Sequence, residues 1–114
     1  MKLAIVGSRG ITLSVEDLSR FVPEGVSEIV SGGAIGVDRC AAAFARARGI
    51  KLTEFLPDYE VYGHSAPIRR NEQIADYADE AIAFWDGVSR GTVHTIKFFR
   101  ERGKRVRIFR LKKN

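Results

Sequence analysis

Three stretches of this chain combine the residue types that hold an anion. The first, Gly7-Ser8-Arg9-Gly10, joins two glycines, which leave backbone N–H groups open to approach, to a guanidinium fork. Taken alone it is equally a tight strand-to-helix turn. The second is Ser31-Gly32-Gly33-Ala34-Ile35-Gly36-Val37-Asp38. It runs from an apolar stretch straight into a helical pattern, so unpaired N–H groups and the positive end of a helix dipole are aimed at one spot. Asp38, in the first turn of that helix, either holds a ribose hydroxyl or complements the dipole. The third, Asp86-Gly87-Val88-Ser89-Arg90-Gly91-Thr92, repeats the construction with Ser89, Arg90 and Thr92 as side-chain donors. None of the three is the G-x-G-x-x-G of dinucleotide enzymes.

Between the second and third lies the longest region without periodicity, Asp58 to Ala66, and the stretch Tyr59 to Asn71 is expected as a flap or side wall. Tyr62, Gly63 and His64 there, with Arg69-Arg70-Asn71 at its end, supply a stacking ring, an imidazole and guanidinium forks. The two arginines fit an exposed helix face equally well. His64 and His94 are expected in surface or capping roles. Trp85, ending an apolar run, is expected in the core rather than as a stacking platform.

The elements that must position these groups alternate in a regular way. Leu3 to Val6 is an apolar strand ended by Gly7, and Ser14 with Asp17 opens a helix bearing Leu18, Phe21 and Val22 on one face. Val26 to Val30 is a second strand, and Val37, Ala41, Phe44 and Ala45 recur at helical spacing before Gly49. Lys51 to Leu56 is a third strand, and Pro67 suits the first turn of the helix carrying Ile68, Ile74 and Tyr77. Glu80 to Trp85 is a fourth strand, Thr92 to Arg102 a helix, and Val106 onward a half-exposed edge strand whose end is indistinct. The order βαβαβαβαβ predicts an α/β fold, a three-layer Rossmann-like doubly wound sheet of about five mainly parallel strands. Ligands of such sheets bind beyond the carboxyl ends of the strands, where the strand order reverses. Strands one and four normally flank that point, so the first and third loops should face each other.

The chain of 114 residues is expected to form a single domain, 1–114, with 112–114 a frayed tail. Cys40 is the one cysteine, which excludes an internal disulfide and fits a reducing compartment; it is expected as a small buried hydrophobe. The apolar start breaks at Gly7, too soon for a signal peptide, and no stretch reaches the length of a membrane span, so a cytoplasmic protein is expected. The net charge of +5 is concentrated from Lys97 to Lys113, where nine cations face Glu101 alone. A helix face, an edge strand and a tail account for them better than a nucleic-acid patch, because Phe109 is the only aromatic beyond Gly103. The run Ala41 to Ala47 and the pair Phe98-Phe99 leave a homodimer among the expected partners.

These strings resemble the SLOG superfamily, and most closely its small YspA-like branch. The resemblance rests on Val6-Gly7-Ser8-Arg9, Ser31 to Asp38, Tyr62-Gly63, Ile68-Arg69-Arg70-Asn71, Asp79 to Gly87 and Ser89-Arg90-Gly91-Thr92, in order along nearly the whole chain. It implies a Rossmann-like fold and a nucleotide or nucleotide-derived ligand, ADP-ribose-like or NAD-related, with no required cofactor or metal. It also implies a partnership with effectors of nucleotide-signalled defence systems. The expected ligand contacts are Gly7, Ser8, Arg9, Ser31, Gly32, Gly33, Ala34, Gly36, Asp38, Tyr62, Arg69, Asn71, Asp86, Ser89, Arg90, Gly91 and Thr92. In this scheme N–H groups at Gly32 to Gly36 and at Ser89 to Thr92 take phosphates, and Arg9, Arg69 and Arg90 neutralise charge. Asp38 takes a ribose hydroxyl, and Asn71 reads a base or ribose.

The superfamily's LOG-type phosphoribohydrolases carry Pro-Gly-Gly-x-Gly-Thr followed closely by a catalytic glutamate. Here no carboxylate closely follows Gly91-Thr92, whereas an oxocarbenium-like transition state needs one. Hydrolysis of an N-glycosidic bond is therefore the alternative, with Asp38, Asp86 and His94 as its candidate catalytic groups. A DNA-binding module, as in DNA-processing protein A, is the second alternative.

Overall fold

Leu3, Ala4, Ile5 and Val6 are apolar in succession and buried on both faces, and β1 (Lys2–Gly7) accordingly lies at the centre of the sheet. The structure, a computed structural model, describes residues 1–112. Lys113 and Asn114, in the tail expected to fray, lie outside the described residues. The chain continues through α1 (Val15–Phe21), β2 (Glu28–Ser31), α2 (Val37–Arg48), β3 (Lys51–Glu54) and α3 (Tyr59–Tyr62). A 3-10 turn at Gly63–Ser65 then leads into α4 (Ala66–Tyr77), β4 (Glu80–Trp85), α5 (Arg90–Glu101) and β5 (Val106–Arg110).

The five strands run parallel in the order β3-β2-β1-β4-β5, the doubly wound arrangement expected from the sequence. Alternation divides the core into two layers. On one face Leu3, Ile5, Ile29, Ile82 and Phe84 meet Leu18 of α1 and Val37, Ala41, Phe44 and Ala45 of α2. On the other, Ala4, Val6, Val30, Ala81 and Ala83 meet Ile74 and Ala75 of α4 and Ile96 and Phe99 of α5. The second face carries three strand alanines, which leave room for the large Phe99 ring.

Local signals set most element ends. Ser14 and Asp17 form the expected capping box, the Asp17 N–H donating to Ser14 Oγ at 3.0 Å and the Ser14 N–H to Asp17 Oδ2 at 3.1 Å. β3 ends at Glu54 rather than Leu56, because its partner β2 runs out at Ser31, opposite Glu54. β2 begins at Glu28 rather than Val26, and α5 begins at Arg90, two residues before Thr92. The stretch expected as a flap is α3, the 3-10 turn and the first turns of α4. Of these, α3 is a single turn capped by Asp58, which accepts from the Val61 N–H at 3.2 Å. Four residues are too few to show a helical period.

Three of the C-terminal cations have intramolecular tasks. Lys104 Nζ donates to the carbonyls of Ala75 (2.6 Å) and Asp76 (3.0 Å) in the last turn of α4. Arg107 donates to the Phe21 carbonyl at the end of α1 (3.3 Å), and Arg102 pairs with Asp76 at 2.6 Å. Cations belong at helix C-termini, where carbonyls and the negative dipole end are unsatisfied. Of the residues that suggested a homodimer, Ala41, Ala42, Ala45 and Phe99 are buried in the layers of the monomer, Phe98 is half-buried, and Ala43 and Ala47 are exposed. Cys40 is half-buried rather than fully enclosed, and its sulfur accepts from the Leu13 N–H at 3.2 Å. No helix among the described residues is long and apolar enough to cross a membrane.

Candidate functional site

Because β1 and β4 are neighbours, the loops that leave them meet. The Ser8 N–H donates to the Phe84 carbonyl (3.0 Å), and the Ser8 hydroxyl accepts from the Asp86 N–H (3.1 Å). Ser8 is buried and serves as this tie. A Cβ at Gly7 would strike the Phe84 carbonyl and the Val37 side chain. Gly36, at φ +77°, takes a conformation only glycine adopts easily, and a Cβ there would strike the Arg9 backbone. The glycines thus press all three loops against one another.

Between them lies a cleft of about 210 Å³. Its walls are Gly7 and Arg9 after β1, Ala34 and Asp38 at the start of α2, and Ser89, Gly91 and Thr92 at the start of α5, with Thr95 behind. Pro67, Arg70, Asn71 and Ile74 of α4 complete it. The first turns of α2, α4 and α5 border this space, and none has a side-chain cap. The first N–H groups of α2 and α5 have no partner within the helix, and each start brings a partial positive charge. At α4, by contrast, the Ala66 N–H donates to the Gly63 carbonyl and Pro67 has none to offer.

The starts of α2 and α5 differ. In the β2 loop, the Gly33 N–H donates to Ser31 Oγ (3.3 Å) and the Ala34 N–H to Asp38 Oδ2 (3.1 Å). The loop thus spends two donors on itself, and Asp38 adds negative charge. The start of α5 carries no acid, so it is the better place for an anion.

Asp38 is buried, and that desolvation pushes its carboxyl above the ordinary carboxylate range, with Glu54 adding to the rise. The Ala34 N–H, Arg70 and Arg9 oppose it. Arg70, half-buried, is pulled down by desolvation and held up by Asp38. Its Nη1 donates to the Gly32 carbonyl and its Nε to Asn71 Oδ1 (2.9 Å), while Asn71 Nδ2 reaches the Gly91 carbonyl at 3.5 Å. Arg70 and Asn71 therefore bridge the β2 loop to the start of α5.

Of the residues expected from the sequence, the cleft gathers Gly7, Arg9, Ala34, Asp38, Asn71, Ser89, Gly91 and Thr92. Ser8, Ser31, Gly32 and Gly36 stand behind the wall as supports. Arg69 does not face the cleft; it is exposed and pairs with Glu72 at 2.9 Å. Tyr62, Gly33 and Arg90 are exposed away from the lining. Asp86 Oδ1 accepts from the N–H groups of Val88 (2.9 Å) and Ser89 (2.8 Å), shaping the β4 loop. The Trp85 indole N–H donates to the Ser89 carbonyl (3.1 Å), so this ring anchors that loop rather than filling the core. His94 and His64 lie outside the cleft lining.

Arg70, named among the guanidinium forks, is absent from the expected ligand contacts, and Thr95 is not anticipated at all. Pro67, Arg70, Asn71 and Ile74 follow the i, i+3, i+4, i+7 spacing of one helix face, a pattern visible in the sequence that excludes Arg69. Thr95 lies one turn beyond Gly91, to whose carbonyl it donates at 3.1 Å. Among the described residues, no group of three or more His, Cys, Asp or Glu side chains gathers to hold a metal ion. No family model matches the chain, and no curated protein or solved structure matches it.

Proposed function

We propose that the protein binds a nucleotide or nucleotide derivative through its phosphate, an ADP-ribose-like or NAD-related molecule being the expected class. The observation that carries this is the convergence of the starts of α2 and α5, neither with a side-chain cap, with Arg9 and Arg70 on one cleft. The phosphate belongs at Gly91 and Thr92, away from Asp38. Asp38 and Asn71 lie where a ribose can be hydrogen-bonded. The resemblance to the SLOG superfamily supports the ligand class, and the lone Cys40 fits a cytoplasmic setting.

One observation favours a second activity at the same place. Asp38 is a carboxyl on the cleft wall, and burial raises its pKa above the ordinary value, the direction also taken by general acids of glycoside cleavage. That places N-glycoside hydrolysis second. DNA binding has less support, because Arg102, Lys104 and Arg107 are engaged with helix ends.

Thermal unfolding with ADP-ribose, NAD, AMP and cyclic nucleotides, followed by analysis for released base, tests both activities. A ligand at a hundredfold excess over its Kd stabilises the fold by about 2.7 kcal/mol. A shift with intact ligand is the expected result. A shift with released base makes the protein a hydrolase, and no shift with any member rejects the proposal.

A further inference from the structure

Strand order lays out the loops above the sheet in a line. The start of α5 lies beyond β4, Gly7 to Arg9 beyond β1, Gly32 to Asp38 beyond β2, and Leu56 with Tyr59 beyond β3. Neighbouring strands are about 4.8 Å apart, so the line from β4 to β3 covers roughly 14 Å. That is about the length of an extended nucleoside monophosphate.

The cleft is too small for such a molecule. Its 210 Å³ falls below the ~300–1,000 Å³ of pockets that enclose a whole small ligand. With a phosphate at α5 and a ribose beside Asp38, the remaining part of the ligand emerges on the β3 side. Two large side chains stand there in the open, Leu56 at 64% and Tyr59 at 59% exposure. The Leu56 side chain lies over Gly33, and the Arg70 guanidinium lies over Gly32, so shelf and cleft meet along one dipeptide. The Tyr59 phenol is near enough to Arg70 to act on its charge.

We propose that Tyr59 and Leu56 form a base shelf, on which the aromatic base of a nucleoside phosphate stacks outside the cleft while its ribose phosphate is enclosed. This rests on the phosphate site proposed above. Exposed aromatic rings bind bases by stacking with little preference among them, because every base offers a π-face. The shelf therefore selects for the presence of a base, and the cleft for the sugar phosphate.

Calorimetric titration with AMP and with ribose 5-phosphate separates the two parts. Wild type is expected to bind AMP roughly tenfold tighter than ribose 5-phosphate, the increment one stacked base supplies. Tyr59→Ala is expected to erase that margin and leave ribose 5-phosphate binding unchanged, while Tyr59→Phe keeps both. Equal binding of the two ligands by wild type would overturn the shelf and spare the phosphate site. Weakening of both ligands alike by Tyr59→Ala would also overturn it, by placing Tyr59 in support of Arg70. Failure of both ligands to bind would overturn the phosphate site and the shelf together.

Discussion

The guanidinium of Arg70 donates to the carbonyl of Gly32, 38 positions earlier in the chain. This contact joins the first turns of α4 to the glycine-rich loop after β2, and the neighbouring Asn71 carries the link on to Gly91. One side chain thus both shapes the cleft and supplies its half-buried cation.

Arg70→Ala should therefore weaken binding of phosphate ligands roughly ten- to a hundredfold, since hydrogen bonds to charged groups are worth about 1.5–3 kcal/mol. Arg69→Ala is the matched control. Its exposed pair with Glu72 contributes about 0–1 kcal/mol, and its loss should leave affinity unchanged. Titration of both variants with AMP decides the matter, and equal losses would remove Arg70 from the site.

Gly91 and Gly36 should respond to alanine in opposite ways. Nothing stands within 4 Å of a Cβ placed at Gly91, and alanine favours the helix by up to about 1 kcal/mol. Gly91→Ala should keep or raise the melting temperature. The same methyl group intrudes into the cleft, and crowding of a fitted site costs about 1–3 kcal/mol, or roughly tenfold in affinity. Gly36→Ala forces a left-handed conformation and meets the Arg9 backbone, so it should cost at least about 1–3 kcal/mol in denaturant unfolding.

The Asp38 carboxyl should show in the pH dependence of stability. Burial raises its folded-state value above the ordinary 3.8, so the folded chain holds this proton more tightly than the unfolded chain does. The resulting stabilisation is full below pH 3.8 and is lost as pH rises through the folded-state value. Asp38→Asn removes the titration. It should flatten that part of the profile and be at least as stable as wild type at neutral pH. Parallel melting-temperature profiles for the two proteins would contradict this.

Glu28, at the opposite ends of the strands, should behave in the reverse sense. It accepts from the hydroxyls of Thr53 (2.6 Å) and Tyr77, which hold its carboxyl below the ordinary 4.5, with Lys51 at 3.6 Å assisting. Its contribution is present above pH 4.5 and is lost as pH falls through the lower folded-state value. Glu28→Ala should cost about 1–3 kcal/mol by leaving these partners unmatched, with ligand affinity untouched. Urea unfolding and titration of the same variant check the two halves.

Short-range pattern carried the architecture. Uninterrupted apolar runs such as Leu3 to Val6 and Ala81 to Phe84 mark central parallel strands, and alternation at Val106 to Arg110 marks an edge. Period and capping residues located the helices, and parallel topology alone brought the β1 and β4 loops together. The side chains that line the cleft were a different matter. Arg69 and Arg70 are adjacent and chemically identical, yet α4 turns toward the sheet to bury Ile74 and Ala75, and that rotation sends Arg70 inward and Arg69 out. Tyr59 and Tyr62 are both exposed, on a single turn too short to leave a period. Nor could spacing show that Ser31 and Asp38 consume the N–H groups of Gly33 and Ala34. Burial against a sheet imprints a repeating pattern along the chain. A contact between loops far apart in sequence depends on how the layers dock, which no local repeat records.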